Sequence, residues 1–411
     1  MERIEALLEL LDNPQSDLKL VHVAGTNGKG STCWIIASIL NKAGYRVGSF
    51  LSPHISSYRE RLRINGEYID AKDMNDYLDR VMAAAERLVL SGGEHPTEFE
   101  ILTALAFLYF KDQQVDIAVL EVGMGGRYDS TNVITPLVSV ITSIDYDHIA
   151  YLGDTLEEIA LNKAGIIKPG VPVVVGELPE PARRVIESEA GQKSALLYHA
   201  NSTVKVVRKG NPLECMVEVT LPGDILGILP FSLLGDYQLV NLATALTAIY
   251  LLKQQGWPIS AVHIRDALAG LSFPGRLQVM CRNPLIIADA AHNPHACRAL
   301  RRSIETLLPD KERVLLLGML DDKDALLSIQ ELGPATRAVV VTRPDKDRAS
   351  NWRRLSSLYT SLFPGVPIYE EEEPTRALDM ALGILKENEY MLISGSFYLL
   401  GKLWSSLARR C

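Results

Sequence analysis

The chain has 411 residues, more than a single hydrophobic core serves, so its length implies two or three domains. Its 47% hydrophobic and 22% charged residues are ordinary for a soluble globular protein. A net charge of −8 and a pI near 5.6 exclude a nucleic-acid binder that relies on bulk positive charge, while leaving room for a local basic patch that meets phosphates.

Residues 1–12 are charged and amphipathic, with apolar residues near helical spacing, so they read as a helix and not as a signal peptide. No apolar run of roughly 18 residues is present that would cross a membrane. A Val-rich strand is predicted over 19–24, a glycine loop follows, and a helix over 31–43 is stopped by Gly44. A second strand over 45–51 completes a parallel α/β unit. Further along, 98–110 predicts a helix, 117–121 a buried strand ending in Gly123-Met124-Gly125-Gly126, 137–144 a strand, 155–164 a helix and 171–175 a strand. Residues 204–207 and 216–221 alternate as antiparallel strands do, and 238–253 is a long apolar helix.

Pro and Gly punctuate residues 271–276, and strand–helix alternation starts afresh beyond them. Strands are predicted over 286–289, 314–318, 338–342 and 390–394. The acidic run 370–373 precedes Pro374 and reads as a solvated helix start favoured by the helix dipole. The fold class is therefore α/β. A P-loop-type, mostly parallel sheet with a small antiparallel region fills a domain at 1–272, and a smaller Rossmann-like α/β domain follows at 273–411. The five cysteines, at 33, 215, 281, 297 and 411, form no CxxC pair and show no zinc-site spacing, which fits a reducing cytoplasm better than a disulfide framework.

The loop Gly25-Thr26-Asn27-Gly28-Lys29-Gly30-Ser31 carries the clearest chemistry. Converging backbone N–H groups at a helix N-terminus bind anions, and glycines let the backbone curl closely around them. Lys29 adds a mobile positive charge, and Ser31 or Thr32 offers a hydroxyl to Mg²⁺ or to a phosphate. The spacing is not that of a Walker A loop, because only two residues separate Gly25 from Gly28 and Gly30 stands between Lys29 and Ser31. A plain strand-to-helix glycine turn is the bland alternative.

Ligands of open parallel sheets bind beyond the carboxyl ends of strands. Three such ends carry hard-metal ligand types: Ser52 with Pro53 and His54, Glu121, and the group Asp145, Asp147 and His148. Taken singly, Glu121 equally well pairs with Arg127, and His148 caps a turn. Lys163, near a helix end, reads on its own as a dipole partner without chemistry. In the second domain, Asp289 ends a strand and His292-Asn293-Pro294 turns into a helix, which is either a site signature or an Asx turn with a capping Asn. Arg276, beyond the linker, either clamps a phosphate across a domain cleft or fixes the hinge.

The segments His22-Val-Ala-Gly-Thr-Asn-Gly-Lys-Gly-Ser31, Leu51-Ser-Pro-His54, Glu121-Val-Gly-Met-Gly-Gly-Arg127, Asp147-His148, Lys163-Ala-Gly-Ile166 and Asp289-Ala-Ala-His-Asn-Pro294 occur in one order along nearly the whole chain. In that order they resemble folylpolyglutamate synthase, including its bifunctional dihydrofolate synthase form, within the Mur ligase superfamily. The resemblance implies that ATP phosphorylates the carboxylate of a pteroyl substrate and that L-glutamate attacks the acyl phosphate. It implies that Lys29 and the loop from Gly25 to Ser31 hold phosphates, and that Ser52, Glu121 and His148 bind Mg²⁺. Lys163 matches the lysine that is carbamylated in the family and so becomes a metal ligand. Asn241, Arg276 and Asp289 match ATP contacts, His292 sits in a loop that faces the cleft, and Thr97 matches a pterin-side residue. A cytoplasmic monomer fits the family.

This chain departs from the family pattern at Tyr128, where Leu is usual, at Tyr237, where His is usual, and at Ala290, where Gly is commoner. It also begins almost at the helix before the first strand, where the family carries a segment that helps to bind the pterin. A Mur-type ligase acting on a different acid, such as a cell-wall precursor, and a non-catalytic ATP-binding module are the rival readings.

Overall fold

The computed structural model describes residues 1–210 and 216–410. Cys215 and Cys411 lie outside the described residues; Cys33, Cys281 and Cys297 are buried free thiols. The chain forms two compact units. One consists of Met1–Lys209, Met216–Ser232 and Gln238–Leu271, and the other includes Leu233–Tyr237 and the stretch from Ser272 onward.

The first unit is built on an eight-stranded sheet. Its strands are β1 (Leu20–Ala24), β2 (Val47–Phe50), β3 (Leu62–Ile64), β4 (Glu67–Tyr68), β5 (Ile117–Glu121), β6 (Val138–Ser143), β7 (Val173–Glu177) and β8 (Leu197–His199), in the order β4-β3-β2-β5-β1-β6-β7-β8. From β2 to β8 the neighbours are parallel, while β3 and β4 add an antiparallel edge. Every residue of β1 and β5 is buried, which is why both read as mostly apolar runs, broken only by His22 and the terminal Glu121. A small antiparallel sheet joins β9 (Lys205–Lys209), β10 (Met216–Leu221) and β11 (Asp224–Pro230).

On one face of the large sheet, helices Glu2–Glu9, Ala71–Leu90 and Glu98–Asp112 bury Leu7, Val81 and Phe107 with Phe50 and Leu120. Helices Leu156–Ala164 and Glu180–Gln192 pack Ile159 and Ile186 against Ile141 and Val175. Among the described residues no helix is long and apolar enough to cross a membrane.

The second unit is a six-stranded sheet of β12 (Gln278–Arg282), β13 (Leu285–Ala288), β14 (Arg313–Leu317), β15 (Thr336–Val341), β16 (Ile368–Glu370) and β17 (Tyr390–Ser394), in the order β12-β13-β17-β14-β15-β16. Only β12 runs antiparallel. The acidic run divides its work. Glu370 faces Arg353, Glu372 pairs with Arg343, and Glu373 caps helix Pro374–Ile384 by accepting the Arg376 N–H. Strands β3, β4, β8, β11, β12 and β16 have no counterpart in the sequence reading, because most are short and their polar residues break an apolar run.

One buried residue of β1 links the fold to pH. The Thr131 hydroxyl lies 2.5 Å from an Asp129 oxygen and 2.8 Å from His22 Nε2. If Thr131 donates to Asp129, His22 donates through Nε2, and its Nδ1 is buried without a hydrogen-bond partner. Burial, with Lys168 adding to it, pushes the His22 pKa down from 6.5 to about 3. The folded chain therefore resists a proton that the unfolded chain accepts. Stability is full above pH 6.5 and falls as the pH drops from there toward 3, by about 1.4 kcal/mol per pH unit from this group. Urea unfolding of the wild type and of His22→Asn between about pH 6.5 and 4.5 is expected to show a slope steeper by that amount in the wild type. Parallel curves would remove His22 as the cause.

Candidate functional site

The glycine loop is anchored before it turns. At the end of β1, Thr26 N–H donates to Ser143 O at 2.7 Å and Asn27 N–H to Ser143 Oγ at 3.0 Å. Thr142 and Ser143 return hydroxyl bonds to Asn27 O at 2.6 and 3.0 Å. Residues 25–27 are thus tied to the end of β6. Helix Lys29–Lys42 follows, two residues earlier than the sequence suggests, with Gly28 as its N-cap at φ +83° and no side-chain cap. Its first helical bond is donated by Thr32 to Gly28 O, so the amides of the preceding turn are not used within the helix. Those amides, rather than those of Thr26 and Asn27, are therefore open to an anion.

Asn241 and Gln238, on helix Tyr237–Gln254, face this turn. Gln238 Nε2 donates to Ser31 Oγ at 3.2 Å, and Asn241 Nδ2 donates to Gln238 Oε1 at 2.9 Å. A Cβ on Gly28 would come within 2.2 Å of Asn241 Oδ1, and one on Gly25 within 2.0 Å of Thr142 Oγ1. Glycine at both positions is demanded by close neighbours as well as by positive φ.

Two lysines meet at the loop. Lys29 Nζ donates to Gly25 O at 3.1 Å and to Thr26 O at 3.2 Å, and Lys163 Nζ donates to the same Gly25 O at 2.8 Å. Lys163 is only 3% exposed, so the reading of it as a surface partner of the helix dipole is corrected. Burial first, and then the Lys29 charge, lower its pKa from 10.5 to about 7; Asp147 and Asp129 act the other way.

Glu121 does not pair with Arg127, whose guanidinium instead faces Glu189 at 4.0 Å. Glu121 is buried at the end of β5 and accepts the Ser52 N–H at 2.9 Å, so these two predicted ligands are brought together. His148 occupies the N-cap of a single helical turn, Ile149–Leu152, at φ +51°, but its side chain makes no cap bond. Its Nε2 lies 3.7 Å from Asp147. Among the described residues no three His, Cys, Asp or Glu side chains form a ready metal cage.

The glycines at 123–126 serve packing. Arg127 N–H donates to Asn162 O at 2.7 Å, and a Cβ on Gly126 would meet Lys163 O at 2.9 Å. Asp129 holds the same loop by accepting Met124 N–H at 2.9 Å and Thr131 N–H at 3.0 Å. Thr97 caps helix Glu98–Asp112 in a capping box with Glu100, which Arg3 also binds at 2.7 Å. Two residues on, Phe99 packs where a Gly123 side chain would stand. Thr142, Ser143, Asp129 and Thr131 escape the sequence reading; their hydroxyls and carboxylate near strand ends were the available signal.

In the second unit, Asp289 follows β13, is buried, and accepts Leu277 N–H at 2.7 Å, Ala291 N–H at 2.8 Å and the Tyr237 hydroxyl at 3.1 Å. Burial raises its pKa, and Arg276 opposes the rise. Arg276 stacks on Phe397, 4.8 Å from the ring centroid. His292 Nδ1 contacts Ala290 O at 2.9 Å, and Asn293 caps helix Pro294–Leu307 by accepting Ala296 N–H. The Asx turn and the capping Asn are therefore both present.

Residues 23–249 match the Mur ligase middle domain, and residues 275–397 match the Mur ligase, glutamate ligase domain. The dihydrofolate synthase/folylpolyglutamate synthase of Bacillus subtilis is 34% identical over 411 residues, covering 98% of this chain and 93% of that protein. The folylpolyglutamate synthase of Mycobacterium tuberculosis complexed with ADP is similar in structure, with a TM-score of 0.94 at 30% identity over 99% of this chain and 94% of that one. Escherichia coli FolC in complex with DHPP and ADP is similar with a TM-score of 0.88 at 32% identity, over 100% of this chain and 94% of that one.

Gly28→Ala places its methyl against Asn241 and strains a left-handed backbone. ADP affinity measured by calorimetry is expected to fall by about tenfold or more, the cost of roughly 1–3 kcal/mol of strain. An unchanged dissociation constant would show that the turn is not the nucleotide site.

Proposed function

The chain belongs to the folylpolyglutamate synthase family of Mur-type ligases, and on that premise we propose that it is an ATP-dependent ligase that joins L-glutamate to a folate through an acyl phosphate. The observation that carries the reading is the Lys29 side chain folded back onto the glycine loop at a helix N-terminus whose first amides the helix does not use, with the buried Lys163 amine on the same carbonyl. The Lys29 charge and the positive dipole end favour an anion, and a polyphosphate supplies it.

In the reaction, a carboxylate oxygen of the pteroyl substrate attacks the γ-phosphorus and ADP departs. The glutamate amine then attacks the acyl carbon, loses its proton, and releases phosphate that carries the former carboxylate oxygen. Lys29 and the amides of Gly28 to Ser31 hold the transferring phosphates, whose charge grows toward the leaving group. Thr26, Asn27 and Asn241 border the nucleotide, and the resemblance adds Arg276 and Asp289 to its contacts. His292 is assigned to the reacting end and Thr97 to the pteroyl side.

Ser52, whose backbone amide bonds the Glu121 carboxylate, carries a hydroxyl, and hydroxyl and carboxylate are hard oxygen donors, which fits Mg²⁺. Ser52, Glu121 and His148 would hold it, and when bound it neutralises phosphate charge. Lys163 as an ammonium does not fit a cation site. As a carbamate it does, because the modification exchanges a positive for a negative charge and turns the repulsion by Lys29 into attraction. Carbamate formation needs the neutral amine, and a pKa of about 7 makes roughly half of Lys163 neutral at pH 7.

Phosphate release with ATP, Mg²⁺, L-glutamate and either tetrahydrofolate or dihydropteroate tests the assignment, and no turnover with either pteroyl substrate would sink it. Activity is expected to fall as the pH drops below about 7, where Lys163 protonates. It should also fall in CO₂-free buffer and return with bicarbonate, accompanied by a carbamate carbon resonance after labelling. Lys163→Ala is expected to keep ADP binding and lose turnover; near-normal turnover would refute the carbamate.

A further inference from the structure

The segment that carries Arg276 is strained. Gly275 and Leu277, on either side of it, both have left-handed backbones, at φ +73° and +43°. For glycine this is easy, but for leucine it is costly and persists only where neighbours enforce it. The enforcement is visible. Leu277 N–H is held by Asp289 Oδ2 at 2.7 Å, Gly275 O accepts Ala290 N–H at 3.0 Å, and Gly275 N–H reaches Gln278 Oε1 at 3.1 Å. Asp289 Oδ2 receives one further bond, from the Tyr237 hydroxyl at 3.1 Å. The ring of Tyr237 leaves no room for a side chain at residue 235, where a Cβ would lie 2.8 Å from Tyr237 Cε1 and 3.2 Å from Leu277 Cδ2. Arg276 itself has a buried Nε with no hydrogen-bond partner; its guanidinium stacks on the Phe397 ring and is attracted by the Asp289 charge. Its direction is thus set by that ring, that charge and the backbone that the carboxylate clamps.

We propose that Tyr237 is a positioning residue for nucleotide binding: its phenol fixes the Asp289 oxygen that clamps Leu277, and so aims Arg276. The phenol donates a single bond in one direction, and burial with the Asp289 charge pushes its pKa well above the usual tyrosine value, so it remains a donor. Tyr237 stands where the family resemblance leads one to expect His, so the device is a feature of this chain. The inference rests on the reading of Arg276 as a nucleotide contact.

Tyr237→Phe keeps the ring and removes only the donor. Calorimetry with ADP is expected to show affinity reduced about tenfold, the loss typical of a hydrogen bond to a charged group. The KM for ATP should rise by more than kcat falls, and the KM for L-glutamate should not follow it. In an Arg276→Ala background the same change is expected to lower ADP affinity clearly less than in the wild type, because the residue acts chiefly through Arg276. Equal ADP affinity of Tyr237→Phe and wild type, or a lowered melting temperature with ADP affinity retained, would overturn the proposal. Additive losses in the double variant would overturn it as well. If Arg276→Ala alone binds ADP as the wild type does, the Arg276 assignment falls and this inference with it.

Discussion

Two ammonium groups donate to the carbonyl oxygen of Gly25, and much of the first unit is arranged to let them do so. Bringing Lys29 there requires the helix to begin at once after Gly28, which a left-handed residue achieves in one step. Bringing Lys163 there requires the end of another helix to be carried beneath the loop and desolvated. Neither arrangement stabilises the unliganded chain, since like charges in a region of low dielectric repel. The anchoring of residues 25–27 by Thr142, Ser143 and the Asp145 backbone offsets this by holding the loop in place. The loop is thus held in place in the unliganded chain, and groups fixed in advance are the ones that stabilise developing charge most.

The second unit solves a related problem with a carboxylate. Asp289 is buried, yet both its oxygens are satisfied by two backbone amides and a phenol. A buried charge is tolerable when its hydrogen-bonding capacity is met. Here the bonds also hold a left-handed leucine in place. Strain and charge are thus balanced against each other on the few residues around Arg276.

Much of this was legible in the chain. β5 and β17 have the predicted bounds, because central parallel strands are apolar throughout and end sharply. The glycine loop was legible as a strand-to-helix junction because glycines, a lysine and hydroxyls coincide there. Lys163 was not. In sequence it is a lysine in the last turn of a helix, where a dipole partner is ordinary, and its burial arises from contacts with residues 25 and 126–127 that no local pattern encodes. The glycines at 123–126 were legible only as the end of a strand; the two backbones they bring together are the reason for them. Asp289 and Asn293 were recognisable as an Asx turn and a cap, but the partner of Asp289, Tyr237, lies 52 residues away and looked like a mere departure from pattern.

The packing of those glycines decides where Lys163 can be. A Cβ on Gly165 would come within 2.3 Å of Arg127 Cα, and one on Gly126 within 2.9 Å of Asn162 O and Lys163 O. These are backbone atoms, which cannot rotate aside as a side chain does. Any larger residue at either position must therefore separate the helix end from the 123–127 loop. Lys163 would retreat from Gly25, water would enter, and the desolvation that lowers its pKa would be lost. The same loop leaves β5 directly after Glu121, so the displacement would reach the carboxylate that accepts the Ser52 amide. The desolvation of Lys163 and the placement of the Glu121 carboxylate thus depend on one contact between two glycines and the main chain opposite them.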